Sequence, residues 1–557
     1  MGISQVEETT SVHQQPVNDV ESPSALTTGG RDGAAARLEE MGYKQELTRN
    51  LGMISVLGLS FAIMAVPFGT STTLNIALTD GGPVTILYGW IFVSLVSLCM
   101  ASSLAEICSV FPTSGGVYYW SAMLSTEKYS SFASYLTGWM GTVGNWTVTA
   151  SITFGGSQLI LAAATLFHED YVPTAWQTCL VYWGALSVSL LCNIFFHNGQ
   201  GTLTSSITFA YGGLEHLSSC ELLQLPLVNG MLTFLSIIVT LLAKADNRNS
   251  AKFAFSHFDA QYSGWPSGWA WFVGLLQGAY TLTGYGMVAS LCEEVNEPAR
   301  EVPRAMLLSV AAAAVTGIVY LLPINFVLPA IEPLLAVASL QPMPLLYKEV
   351  TGSAGAALGL LCLILGIWVF AAIGSLTAAS RCTWAFSRDG GIPASGWWKK
   401  VDQRFGIPVN SLILSTIVCA LLGLIYLGSS AAFNAFTGVA TICLGCSYAF
   451  PVFCSLLRRR EAVRNASFSL GKFGYVINII TVVWITFSII LFCMPTAIPV
   501  TAESMNYASV VFAGFSFIAA LWYVVNARKH YHGPTLSTVR VGDSTEIVEE
   551  YPSSEKA

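Results

Sequence analysis

Ser60-Phe-Ala-Ile-Met-Ala-Val-Pro67-Phe-Gly69-Thr70-Ser71-Thr72-Thr73 and Gln277-Gly278-Ala279-Tyr280-Thr281-Leu282-Thr283-Gly284-Tyr285-Gly286 both lie in the middle of long apolar runs. Each stretch places helix breakers and hydroxyls where a hydrophobic helix would otherwise run unbroken. Pro removes a helical hydrogen bond and Gly lowers the barrier to unwinding. Irregular backbone deep in an apolar layer survives only where protein buries it or an aqueous cavity receives it. For the first stretch the alternative is a Pro-kinked helix whose Ser and Thr side chains bond back to the backbone. The second interruption falls five apolar runs after the first. Matching breaks in two halves of a chain point to a solute site at the midplane of an inverted-repeat carrier.

The rest of the chain fits a membrane setting. Of its 557 residues, 53% are hydrophobic and 10% are charged, against about 25% charged in soluble domains. No charge occurs between residues 51 and 79, or between 171 and 214. Runs of about 20 apolar residues are long enough to span the hydrocarbon core as helices. They fall at 50–78, 84–110, 132–163, 172–196, 222–243, 268–290, 305–329, 355–385, 408–428, 432–457, 474–494 and 505–527, predicting twelve spans. With the N-terminus placed in the cytoplasm, only Lys244, Arg248, Lys252 and Lys348 of the 25 basic residues fall outside. The positive-inside rule therefore puts both termini in the cytoplasm. Residues 1–48 are polar and lack the apolar core of a signal peptide, and 530–557 resemble them; both are expected to be disordered tails around a transporter domain at 49–529.

The thirteen cysteines are scattered singly through apolar runs. Cys443 and Cys446 form a CxxC without a second pair, so they are read as small packing residues in a helix. The seven histidines fall in tails, loops or an atypical stretch, and no metal-ligand spacing occurs. No cofactor is expected, an enzyme is the disfavoured class, and nothing suggests nucleic-acid binding.

Three ordered motifs carry a resemblance. They are Gly81-Gly-Pro-Val-Thr followed by Ala105-Glu106-Ile-Cys-Ser-Val-Phe-Pro112-Thr-Ser-Gly115-Gly116-Val-Tyr118-Tyr-Trp; Cys292-Glu293-Glu294-Val-Asn-Glu-Pro298-Ala-Arg300-Glu-Val-Pro303-Arg304; and Phe386-Ser-Arg388-Asp389-Gly390-Gly391-Ile-Pro393 with Gly406-Ile-Pro408-Val-Asn410. Together they resemble the amino acid–polyamine–organocation superfamily, in particular its fungal amino acid/choline transporter branch. The resemblance covers about residues 42–530. It implies an all-α membrane protein with the five-plus-five inverted-repeat, leucine-transporter-like fold, in which helices 1 and 6 are broken. It also implies a solute site between spans one, three, six and eight, usually with proton coupling. The expected function is a permease for a small nitrogenous solute such as an amino acid, 4-aminobutyrate or choline. An exporter of a nitrogenous secondary metabolite and a non-transporting receptor are the alternatives.

Counting from those motifs puts the unwound part of span one on Val66, Pro67, Phe68 and Gly69, and that of span six on Thr283, Gly284, Tyr285 and Gly286. Many relatives carry Asp where this chain has Gly286. In span three Asn145 is a further candidate for solute binding. Glu106 is the acidic residue expected within a span, and such carboxylates default to a functional reading. It is a coupling candidate with Ser375 and Thr377 of span eight; pairing with a loop Arg is the competing role. Tyr280, Tyr285 and Trp146 are candidates to face an ammonium group. Residues 198–231 depart from the family pattern, which leaves the start of span five open.

Overall fold

The computed structural model describes residues 31–47, 49, 51–168, 170–195, 225–337, 339–428, 432–464, 466–501 and 505–534. Among these the chain is helical and has no strand, only isolated bridges. In lipid every backbone polar group must be satisfied within its own segment, and the apolar runs accordingly close into helices.

Span one is built from Met53–Met64, Val66–Thr72 and Leu74–Thr79, and span two runs from a π turn at Thr85–Gly89 into Trp90–Val110. A short helix, Gly116–Leu124, leads into span three, Glu127–Thr165, and span four is Ala175–Phe195. Span five is Leu225–Lys244. Span six consists of Ser267–Gly274, Leu276–Thr281 and a 3-10 segment at Met287–Glu294. Spans seven to twelve follow as Pro298–Val327, Ala354–Arg388, Val409–Gly423, Ala432–Leu457, Gly474–Leu491 and Ala508–Trp522. The twelve expected positions are thus all helical. Most of the atypical stretch (198–224) lies outside the described residues, as does the tail beyond residue 534.

Span three is the axis of the bundle. Its 39 residues would stretch to roughly 58 Å, well beyond a core of about 30 Å. Within its apolar stretch 78% of the residues are buried, against 11% in span twelve, which turns its Val, Phe and Leu side chains outward. At Gly156 the missing side chain is a packing requirement. A Cβ there would lie 2.0 Å from the Trp368 indole of span eight, whose Nε1 donates to the Ile152 carbonyl at 2.9 Å. Spans two and seven meet in the same manner. Trp90 lies over Gly317 and donates to the Ala314 carbonyl at 3.0 Å. Partners five helices apart, one with six, two with seven and three with eight, are the signature of the five-plus-five repeat.

Two expectations need correction. The N-terminal tail is not polar throughout its course: Arg31–Glu40 is a helix, and Leu38, Met41, Tyr43 and Leu47 are buried against the bundle. Their apolar side chains are few and spaced through a polar stretch, too sparse for a hydropathy signal. At the other end Tyr531 is buried, bonding Ser134 and meeting the rings of Tyr135 and Phe386. The break in span one also lies one residue earlier than expected. Ala65 takes the left-handed conformation at φ 41°, ψ 55°, while Val66, Pro67, Phe68 and Gly69 form the first turn of the next helix.

Candidate functional site

The two interruptions face each other. Ala65 ends one helix by donating to the Phe61 carbonyl and begins the next by accepting from Gly69. Pro67 suits that first turn because its absent N–H would have had no partner there. The hydroxyls beyond are consumed locally: Thr70 donates to the Val66 carbonyl, Ser71 to Pro67, and Thr72 and Thr73 to Gly69. A broken helix and back-bonding hydroxyls therefore coexist in span one. In span six the chain leaves helix at Leu282 and turns through Gly284 at φ 109° before the 3-10 segment.

Contacts between the breaks are close. A Cβ at Gly69 would lie 2.7 Å from Thr281 Cγ2, and one at Gly284 would lie 2.9 Å from Ile63 Cγ2. Gln277 Nε2 donates to the Thr70 carbonyl at 3.2 Å. Ile63 also touches Gly374 of span eight, so spans one, six and eight meet on one side chain. Gly69 thus faces the first half of span six.

Spans three and ten complete the surroundings. Tyr280 and Ser151 share a hydroxyl contact of 2.9 Å, and the rings of Tyr285 and Tyr448 lie 5.5 Å apart. Tyr448 covers Gly286, where a Cβ would come within 2.6 Å of its ring. Its buried hydroxyl lies against the Gly286 backbone. Asn145 donates to the Gly141 carbonyl at 2.7 Å and leaves its Oδ1 buried without a donor. Buried polar atoms are nearly always bonded, so the Asn145 oxygen is a candidate to receive a donor. Tyr448 was not singled out in the sequence, because a Tyr in an apolar helix gives no signal until its neighbours are known.

Other candidates point elsewhere. Thr377 donates to Asn193 Oδ1 of span four and to the Ile373 carbonyl, and Ser375 bonds back to Ala372. The coupling reading of these two hydroxyls has no geometric support. Trp146 donates to Thr383 and Ser415, both at 3.1 Å, which turns it toward spans eight and nine. Glu106 is buried and pairs with Arg460 at 2.6 and 2.7 Å; the Leu470 amide adds a third bond at 2.8 Å. The structure thus gives Glu106 the competing role, a buried tie between span two and the loop after span ten.

Below the breaks, ion pairs cluster at one end of the bundle. Glu293 and Glu294, at the end of span six, are both buried. Arg388 binds Glu293 through two contacts of 3.0 Å, and Arg381 binds Glu294 at 2.8 Å. The N-terminal segment is threaded through this cluster. Arg49 donates to the Val295 carbonyl at 2.7 Å, and Arg388 stacks over Tyr43 at 4.0 Å. The hydroxyls of Tyr43 and Tyr118 both donate to Asp389 Oδ2 at 2.8 Å. Burial, reinforced by the Asp389 charge, pushes the Tyr43 phenol well above its usual range and keeps it a donor. Burial also raises Asp389, against the pull of Arg388 and the two tyrosines.

The described residues include no cluster of three or more His, Cys, Asp and Glu able to hold a metal. Their twelve cysteines, Cys443 and Cys446 included, are all free.

Similarity to known proteins agrees with this architecture. The family model described as amino acid permease matches residues 51–212 and 221–515, and its interruption falls inside the atypical stretch. The chain is 34% identical over 519 residues to an amino-acid permease of Arabidopsis thaliana, covering 90% of this chain and 96% of that one. It is 34% identical over 483 residues to a polyamine transporter of Saccharomyces cerevisiae, covering 85% and 75%. With a choline transporter of the same yeast it shares 31% identity over 520 residues, covering 93% and 86%.

Proposed function

The chain belongs to the amino acid permease family and is a secondary transporter of small nitrogenous solutes; from that premise we propose that its cargo is a monocation or zwitterion resembling choline or 4-aminobutyrate, carried with protons. The observation that carries this reading is the character of the paired breaks. They bring together glycines, tyrosines and hydroxyls, and no acidic residue occurs in the interrupted stretches 60–73 and 277–286. Any ammonium group must then be held by carbonyl oxygens, the orphan Asn145 Oδ1 and aromatic faces. A compact dication would be left poorly compensated in such a site.

The closed ion-pair cluster supports a cycle in which this end opens second. Release of solute there requires Arg388 to leave Glu293, Arg381 to leave Glu294, and Tyr43 to withdraw from Asp389. The arginine-rich end is the cytoplasmic one by the positive-inside rule, which places both termini inside.

One relative favours a different cargo. A polyamine transporter has the same 34% identity to this chain as the plant amino-acid permease, over a shorter match. Competitive uptake in a permease-deficient yeast separates the readings, with choline, 4-aminobutyrate, lysine and putrescine at equal concentration. Inhibition by the first two over the last two is expected; strong inhibition by putrescine alone would reverse the assignment. Counterflow in proteoliposomes distinguishes a carrier from a receptor.

A further inference from the structure

Among the described residues four acidic side chains are buried: Asp80, Glu106, Glu293 and Glu294. Three are neutralised by arginines, namely Arg460, Arg388 and Arg381. Asp80 is the exception. It is fully buried and has no arginine or lysine partner, and the one donor within reach of its carboxyl group is the Ser263 hydroxyl. It caps the last turn of span one, at the end opposite the ion-pair cluster.

The surroundings explain how the side chain is enclosed. Gly81 and Gly82, at φ 123° and 65°, turn the chain back on itself just beyond it. Gly274 of span six lies against it. A Cβ at Gly274 would meet Thr85 Cγ2 at 2.5 Å and Asp80 Cβ at 3.0 Å. The two neighbouring hydroxyls are already committed: Thr85 donates to the Asp80 carbonyl at 2.8 Å, and Ser263 to the Ala260 carbonyl at 3.0 Å. The ionisable side chains on the elements packed around Asp80 are Tyr88, His257, Asp259, Tyr262, Tyr280 and Glu332, and none of them bonds it.

An ionised carboxylate without a counter-charge is very costly in such a place, whereas the neutral acid is tolerated. A metal cation would need several oxygen ligands, and the hydroxyls at hand are spent. We propose that Asp80 is the proton-carrying carboxyl of the transport cycle, holding a proton while spans one and six are packed together at this end and releasing it when they part. The inference rests on the proton-coupled carrier reading above and adds the group that performs the coupling. The linkage has a definite sign. The packed conformation binds the proton more tightly than a hydrated one, so acid favours packing and alkali favours separation.

Two measurements test this on the full-length protein. Dicyclohexylcarbodiimide modifies protonated carboxyls in apolar surroundings. Peptide mass spectrometry of the wild-type protein should find Asp80 modified at neutral pH, less so in alkali, with Glu106, Glu293 and Glu294 spared. Absence of modification at Asp80 across the pH range of the folded protein overturns the assignment, whatever the cargo proves to be. In proteoliposomes, with radiolabelled choline and 4-aminobutyrate as probes, Asp80→Asn should lose accumulation driven by an acid-outside gradient and keep counterflow. Gradient-driven accumulation equal to the wild type overturns the proposal. So does loss of counterflow in a monodisperse Asp80→Asn protein, which would make Asp80 a solute ligand. A wild-type protein that moves neither probe defeats the cargo reading alone, and the carbodiimide result then decides the protonation site.

Discussion

At the scale of single residues, the buried charges show what the sequence can and cannot say. Glu106 was legible as a carboxylate in a span, but its partner Arg460 lies 354 residues further along the chain. Arg460 takes the left-handed conformation at φ 56° and lies so close over Gly474 that a Cβ there would collide with its guanidinium. Removing one partner from a buried pair leaves the other uncompensated, at a cost of about 3–5 kcal/mol. Glu106→Gln is therefore expected to lower the melting temperature of the purified protein and its abundance. Glu106→Leu combined with Arg460→Met should recover much of that loss. A Glu106→Gln protein with normal stability and a changed solute ranking would contradict this structural role. Gly69 and Gly284 were legible as glycines of the two interrupted stretches, but what each of them faces was not. Gly69→Leu and Gly284→Leu should both insert in the membrane and fail to transport. For Gly69 the cause is collision with Thr281, so Thr281→Ala should partly rescue the milder Gly69→Ala. Wild-type uptake by both Leu variants would place the site elsewhere.

At the scale of elements, composition located the two interruptions but not their backbone form. In span six Gly284 needs a positive φ that glycine adopts freely, and the expected stretch 283–286 coincides with the turn. In span one the left-handed residue is Ala65, where that conformation costs about 1 kcal/mol and is imposed by packing. No local preference could have selected it over its neighbours. The turn after span one and the N-terminal segment teach the same lesson. Asp80 sits in an Asp-Gly-Gly-Pro run that reads as an ordinary turn, and its burial comes from Gly274 of span six. Tyr43 is buried by a cluster assembled from Glu293 and Arg388, which lie 95 residues apart. That cluster predicts an element-level response. Cys292 is buried beside Cys108, their sulfurs 3.9 Å apart, at the end of span six. Arg388→Ala should loosen this end and make Cys292 reactive to a maleimide applied from the arginine-rich side, in a background where the other cysteines are serine. Labelling no faster than in the parent protein would show that the ion pairs do not hold this end shut.

At the scale of the whole molecule, the distribution of basic residues and the packing make the same division. Arg49, Arg381, Arg388 and Arg460 are contributed by the N-terminal segment, span eight and the loop after span ten, and all lie at the end where span one begins. The loop between spans eight and nine belongs to that end too. It carries Lys399, Lys400 and Arg404, and its Lys399 carbonyl accepts from the span-eight Trp384 indole. Lys348 and Lys252 lie at the opposite end, in short helices between spans. Retaining Lys and Arg on the cytoplasmic side decides orientation when such a chain is inserted. It follows that cysteines introduced as Lys399→Cys and Lys348→Cys, each in a cysteine-free background, must label from opposite faces. In intact cells an impermeant maleimide should reach position 348 and not 399, and permeabilisation should expose 399. Reversal of that pattern would turn the molecule over. Asp80 would then face the cytoplasm, the ion-pair cluster would become the outer closure, and an inward proton gradient would act on the wrong end of span one to drive uptake.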